Sequence, residues 1–220
     1  MSILVIGGHS RSVGKTSVVA GLIAALPDLH WTALKITQYG HGICSANGAP
    51  CDCATGDHSW AVTEEHNKAR DRFGRISDSS RFLVAGANHS WWVRTEQGRL
   101  AEAMPRVRKI LAESQNTIIE SNSILRFLKP HLYLTVLDPS TADFKSSAQQ
   151  CLDRADAVLL HASSHARHSR PAVPAWKQVS LKPVANRPTF PIRPPHYVTP
   201  EIIDFVRHRL TGQDLKSGLS

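Results

Sequence analysis

The chain has 220 residues, with 26 Lys and Arg against 18 Asp and Glu, a formal charge of +8. That length allows one well-buried α/β domain and excludes two large ones. No apolar run reaches membrane-spanning length, and four cysteines without a secretion signal argue against a disulfide scaffold, so a soluble cytoplasmic protein is expected.

The chain begins with "ILVIGGHSRSVGKTSVVAGLIAAL". Ile3–Ile6 reads as a buried strand and Ser17–Leu26 as a helix, with a loop rich in small and polar residues between them. Trp31–Thr37 is a second strand, and residues 38–58 form a Cys-rich stretch with no hydrophobic period. Trp60–Ala69 fits a helix, and a polar linker follows. Phe82–Ala87 and Asn88–Arg94 suggest a short helix or turn leading into a strand, and Glu96–Glu113 a helix with Pro105 as a kink. Asn116–Glu120, His131–Leu137 and Ala157–His161 read as strands, with a helix over Thr141–Leu152. "WKQVSL" is a candidate last strand, and the proline-rich segment 183–200 reads as a surface-wrapping loop. Thr199 and Pro200 open a closing helix. Residues 1–212 are expected to form one domain and 213–220 a flexible tail. Strands alternating with helices predict an α/β fold, a mostly parallel sheet with helices on both faces.

The first loop carries the clearest chemistry. Backbone N–H groups converging at a helix N-terminus stabilise a phosphoryl chain, and glycines let the backbone approach it. Gly8, Ser10, Ser12, Val13 and Gly14 supply such a loop. Lys15 adds a mobile positive charge at the terminal phosphates, Thr16 a hydroxyl for Mg²⁺, and Ser17 continues the anion-binding turn. The strand before and the helix after supply the context that a P-loop NTPase fold requires. His9 stands where the common pattern has a glycine.

Glu120 ends an apolar strand, where a carboxylate reaches Mg²⁺ or orients an attacking group, or else caps the next helix. Asp138 is a weaker candidate of the same kind. Lys35 lies near the C-terminal edge of its strand, where ligands bind in open parallel sheets. It meets a second anion there, the γ-phosphate or an acidic substrate, or it snorkels from the sheet edge. Lys15, Lys35 and Glu120 are the candidate catalytic residues.

The spacing G-x5-G-K-T resembles that of dethiobiotin synthetases. The order of motifs is similar to the molybdopterin-guanine dinucleotide biosynthesis adaptor (MobB-like) family: "GGHSRSVGKTS", the lysine-bearing "ALKIT" followed by His41, "DSSRFLVAGA" and "TIIESNS". The likeness runs through about the first 160 residues, with Ser121 in place of a glycine after Glu120. It implies an ATP- or GTP-binding protein, usually dimeric, that works with a protein partner of a metal-cofactor pathway. The resemblance to the dethiobiotin synthetase-like families implies that Asn186, in a late loop, contacts the base. The lack of an Asn-Lys-x-Asp motif favours ATP.

The stretch "HGICSANGAPCDCATGDH" brings Cys44, Cys51 and Cys53 together with His41, Asp57 and His58. Such thiols and imidazoles suit Zn²⁺ or an iron–sulfur cluster, although C-x6-C-x-C matches no standard zinc ribbon, and a loop with free thiols is the alternative. His161, His165 and His168, with Arg167 and Arg170, read as a solvated polar loop or an anion site. The basic residues are spread along the chain, as on a solvated surface, and the formal charge of +8 favours anionic partners such as nucleotides or an acidic small molecule. Nucleic acid ranks last among them.

Overall fold

The structure is a computed structural model that describes residues 1–40, 59–66, 77–162, 176 and 179–212. Its strands are β1 (Ser2–Gly8), β2 (Trp31–Tyr39), β3 (Trp60–Glu64), β4 (His89–Glu96), β5 (Asn116–Glu120), β6 (Leu132–Leu137), β7 (Ala157–His161) and β8 (Thr189–Ile192). They form one sheet in the order β3-β4-β2-β5-β1-β6-β7-β8. Every neighbouring pair is parallel except β3 against β4.

Residues alternate between the two faces of each strand, so each buried strand feeds two cores. On one face Ile3, Val5, Leu34, Ile36 and Ile119 pack with Leu100, Met104 and Val107 of α3 (Leu100–Glu113). On the other, Leu4, Ile6, Ala33 and Ile118 meet α1 (Lys15–Ala25), Phe82 of α2 (Asp78–Val84), and Ile202 and Val206 of α5 (Pro200–Thr211). The expected α/β architecture, a mostly parallel sheet with helices on both faces, is therefore the observed one.

Several local expectations are corrected. Residues 60–64 form strand β3, not a helix, because Trp60 and Val62 alternate towards the α3 core while β4 supplies an antiparallel ladder. The helix expected over Thr141–Leu152 shrinks to α4 (Ser146–Gln149), followed by a short 3-10 turn at Leu152–Arg154. Trp176, Val179 and Ser180 lie outside any strand. The last strand is instead β8, inside the proline-rich segment, where it pairs with β7. Pro191 is tolerated because β8 is an edge strand.

Candidate phosphate-binding site

The C-terminal ends of β1, β2 and β5 meet at one cavity of about 760 Å³. Register explains which side chains gather there. Ile6 is paired with Glu120 across β1 and β5, and Glu120 with Lys35 across β5 and β2. Lys35 keeps step with Ala33 and Glu120 with Ile118, so both point to the face covered by α1 and α2. There they meet the first turn of α1.

The loop between β1 and α1 turns on two residues with positive φ, Ser12 at 57° and Gly14 at 87°. At Gly14 a Cβ would lie 2.2 Å from the Tyr197 ring, so both conformation and space require glycine. Lys15 Nζ folds back to donate to the Ser10 carbonyl at 2.6 Å. Burial lowers the Lys15 pKa to about 8, against the opposing pull of Glu120 and with help from Lys145 and Lys35. Its ammonium is thus held, largely desolvated, beside a loop of backbone amides.

Thr16 Oγ1 donates to Glu120 at 2.8 Å, and Glu120 is almost fully buried. Lys35 Nζ lies 3.1 Å from both Glu120 oxygens, 3.2 Å from Thr16 Oγ1 and 2.6 Å from Asp78 Oδ2. Ser17, on the next position of α1, accepts a long hydrogen bond from Arg81 at 3.4 Å. Thr16, Glu120 and Asp78 are hard oxygen donors, the set a magnesium ion takes alongside phosphate oxygens. An ammonium already sits among them, so the donor set fits a cation.

Five residues of the site were not singled out from the sequence as ligands. Asp78, the first residue of α2 after the Ser77 cap, reaches Lys35 across the cavity. Asn122 clamps the loop from below, accepting from Gly8 N at 2.9 Å and donating to Gly8 O at 2.8 Å. Tyr197, from the proline-rich segment, covers Gly14 and stacks edge-on against His161. His161 in turn contacts the Val13 carbonyl at 3.0 Å. Lys145 lines the cavity, with its pKa lowered by burial and by Arg11.

The fifth is His9. Its Nε2 accepts from the Asp138 amide at 3.0 Å, so Nδ1 carries the proton and donates to the Asp143 carbonyl at 2.7 Å. The His9 carbonyl accepts from Lys145 N, and Ser10 Oγ donates to the Asp143 carboxylate at 2.6 Å. The ring packs on Phe144 and Trp176. A glycine at this place could make none of these side-chain contacts. His9 ties residues 138–145 to the phosphate loop, which holds Lys145 at the cavity and stops a helix from starting before Ser146.

His9→Ala is expected to lower stability by about 2 kcal/mol through the lost hydrogen bonds and packing. Burial also lowers the His9 pKa, partly offset by the Asp143 carbonyl and the nearby Asp138. Above roughly pH 6.5 the ring is neutral folded or unfolded, and its full contribution is present. As pH falls below that, the unfolded chain takes up the proton first and stability declines towards the folded-state pKa. Thermal melts between pH 5 and 8 should therefore fall less steeply with acid in His9→Ala than in the wild type.

Other expectations find different places. Asn186 is exposed in the turn before β8. Because β8 runs parallel to β7, that turn lies at the opposite edge of the sheet from the phosphate loop, out of reach of a base bound there. Asp138 accepts from Ser140 N, Ser140 Oγ and Thr141 Oγ1, and so shapes its own turn. Thr199 precedes α5 without a side-chain capping bond. Cys44, Cys51, Cys53, His41, Asp57, His58, His165, His168, Arg167 and Arg170 lie outside the described residues. Among the described residues no group of three His, Cys, Asp or Glu is placed to hold a metal, and no helix is long and apolar enough to cross a membrane.

A parallel strand, a glycine-bounded loop and a helix, with a carboxylate from the adjacent strand under the helix start, make this a P-loop NTPase fold. No protein-family model matches the chain, and no curated protein matches it. Among solved structures it is similar to LpxK from Aquifex aeolicus in complex with ATP, at 17% identity and a TM-score of 0.45 over 87% of this chain. The chain spans only 53% of that LpxK chain. It is also similar to HypB from Helicobacter pylori in complex with nickel, at 13% identity and a TM-score of 0.45, over 99% of this chain and 90% of that one. Likenesses this distant assign no substrate.

Proposed function

We propose that this chain is a magnesium-dependent nucleoside triphosphate-binding protein of the dethiobiotin synthetase/MobB-like class, using ATP or GTP for phosphoryl transfer or slow hydrolysis. The observation that carries the reading is the Thr16–Glu120 hydrogen bond beneath a loop closed by Lys15. The class is supported by the way the motifs converge. The four segments with family resemblance contribute Lys15 and Thr16, Lys35, Asp78, and Glu120 to one cavity.

In this reading the loop amides and Lys15 hold the β- and γ-phosphates. Thr16 and Glu120 hold magnesium, which neutralises charge on the terminal phosphates when bound. Lys35 and Lys145 present further positive charge at the same place. The task of these groups is to position the phosphates and to balance charge. Both carboxylates are tied to Lys35, so neither stands ready as a strong base for water. That suits a transferase or a switch better than a fast hydrolase. It also favours a second reading, a metal- or cofactor-binding adaptor whose nucleotide sets conformation only.

The wider assignment is to cofactor or metal-cofactor biosynthesis in the cytoplasm, as a homodimer with an acidic small molecule or a pathway protein as partner. Zn²⁺ or an iron–sulfur cluster at Cys44, Cys51 and Cys53 belongs to the same proposal. Binding of fluorescent ATP and GTP analogues with and without magnesium, followed by product analysis, tests it. Magnesium-dependent binding is the expected result, and failure to bind either nucleotide would overturn the reading. Turnover separates the transferase from the adaptor, and metal analysis of the purified chain tests the cysteine site.

A further inference from the structure

Lys35 occupies an unusual place for an ammonium. Its four oxygen contacts, to Thr16, both oxygens of Glu120 and Asp78, all lie within 3.2 Å. An ammonium has three hydrogens, so these contacts are shared, and the group sits in a cage of oxygens as an ion would. The cage is built from a hydroxyl and carboxylates, the donors a divalent cation uses. Two cations cannot share it.

We propose that Lys35 is a tethered counter-cation that fills the divalent-cation position in the nucleotide-free protein, and that metal loading is an exchange. Thr16 and Glu120 pass from the ammonium to the incoming metal. Lys35 keeps Asp78, its shortest contact at 2.6 Å, and turns its free hydrogens to phosphate oxygens. Asp78 also faces Arg81, at 3.7 Å, and stays neutralised throughout. This inference rests on the nucleotide reading above and adds an order to it. Lys35 keeps the metal out until a triphosphate arrives to receive the displaced charge. Metal and nucleotide then bind with strong positive coupling, because each removes a cost from the other.

The test uses Mn²⁺ alone as the probe, titrated into the full nucleotide-free chain and followed by electron paramagnetic resonance. The wild type is expected to bind it weakly. Lys35→Met opens the cage and is expected to tighten binding at least tenfold, while Lys35→Arg keeps the charge and stays weak. Adding Glu120→Gln to Lys35→Met should remove the gain, which locates the ion. Lys35→Gln, which keeps a hydrogen-bonding side chain, serves as a second opening variant, with circular dichroism confirming that each is folded. Tight Mn²⁺ binding by the nucleotide-free wild type, or no gain in either folded opening variant, overturns the exchange. Nucleotide binding by the wild type is measured in parallel, so that failure of the nucleotide reading is seen separately from failure of the exchange.

Discussion

Lys15→Ala is expected to weaken magnesium–nucleotide binding about 100-fold, the scale of losing charge-assisted hydrogen bonds to a phosphate. The same change is expected to leave the melting temperature unchanged or higher. Burial has pushed the pKa of this lysine down to about 8, so the fold holds its ammonium at a cost. The pH dependence follows with a definite sign. A bound polyanion stabilises the protonated lysine, so the complex binds more protons than the free protein once pH exceeds about 8. Affinity should therefore fall as pH rises above that value, and Lys15→Ala should abolish that part of the profile. Nucleotide titrations from pH 7 to 10, with calorimetric melts of the same samples, check both statements.

Gly7→Ala is expected to destabilise the protein by about 3 kcal/mol, near the upper end for overpacking a core. An added Cβ would lie 2.2 Å from Asn122 Oδ1 and 2.7 Å from the Tyr133 hydroxyl oxygen. Tyr133 is fully buried and has nowhere to retreat. Asn122 can move only by giving up its two bonds to Gly8, which would loosen the start of the phosphate loop. One methyl group should thus lower the melting temperature by roughly 6–12 °C and weaken nucleotide binding together. Thermal melts with and without nucleotide measure both. A variant that melts like the wild type would show that Asn122 is not the clamp described above.

The phosphate loop was legible because its signal is local: strand, glycines, lysine, hydroxyl and helix are contiguous in the chain. Lys35 and Glu120 were legible as ionisable residues at apolar strand ends. That they touch was not, because their adjacency depends on the register of β2 against β5, which are far apart in sequence. Asp78 was hidden for a related reason. It lies in a polar stretch, and only the packing of Phe82 under the sheet brings the start of α2 to the cavity. His9 stood out as a departure from the loop pattern, but its purpose lies in residues 138–143, which have no periodic signature. The helix expected from Thr141 starts only at Ser146, because the Lys145 amide is bonded to the His9 carbonyl instead. β3 and β8 were missed because one precedes a run of charged, helix-favouring residues and the other contains a proline. Asn186 was carried by resemblance alone, and the direction of β8 removes it from the site.

Ile6, Glu120 and Lys35 stand in one row across β1, β5 and β2, in the middle of the sheet with further strands on either side. Fraying at the margins, where β3 and β8 end the ladder, leaves that row intact. The polar centre can be pulled apart only by separating the central strands, an event equivalent to global unfolding. Amide protons of Ile119 and Glu120 should accordingly be among the last in the molecule to exchange with solvent. Denaturant should abolish ligand recognition and the whole fold in a single transition, with no stage at which a folded remnant has lost its anion pocket.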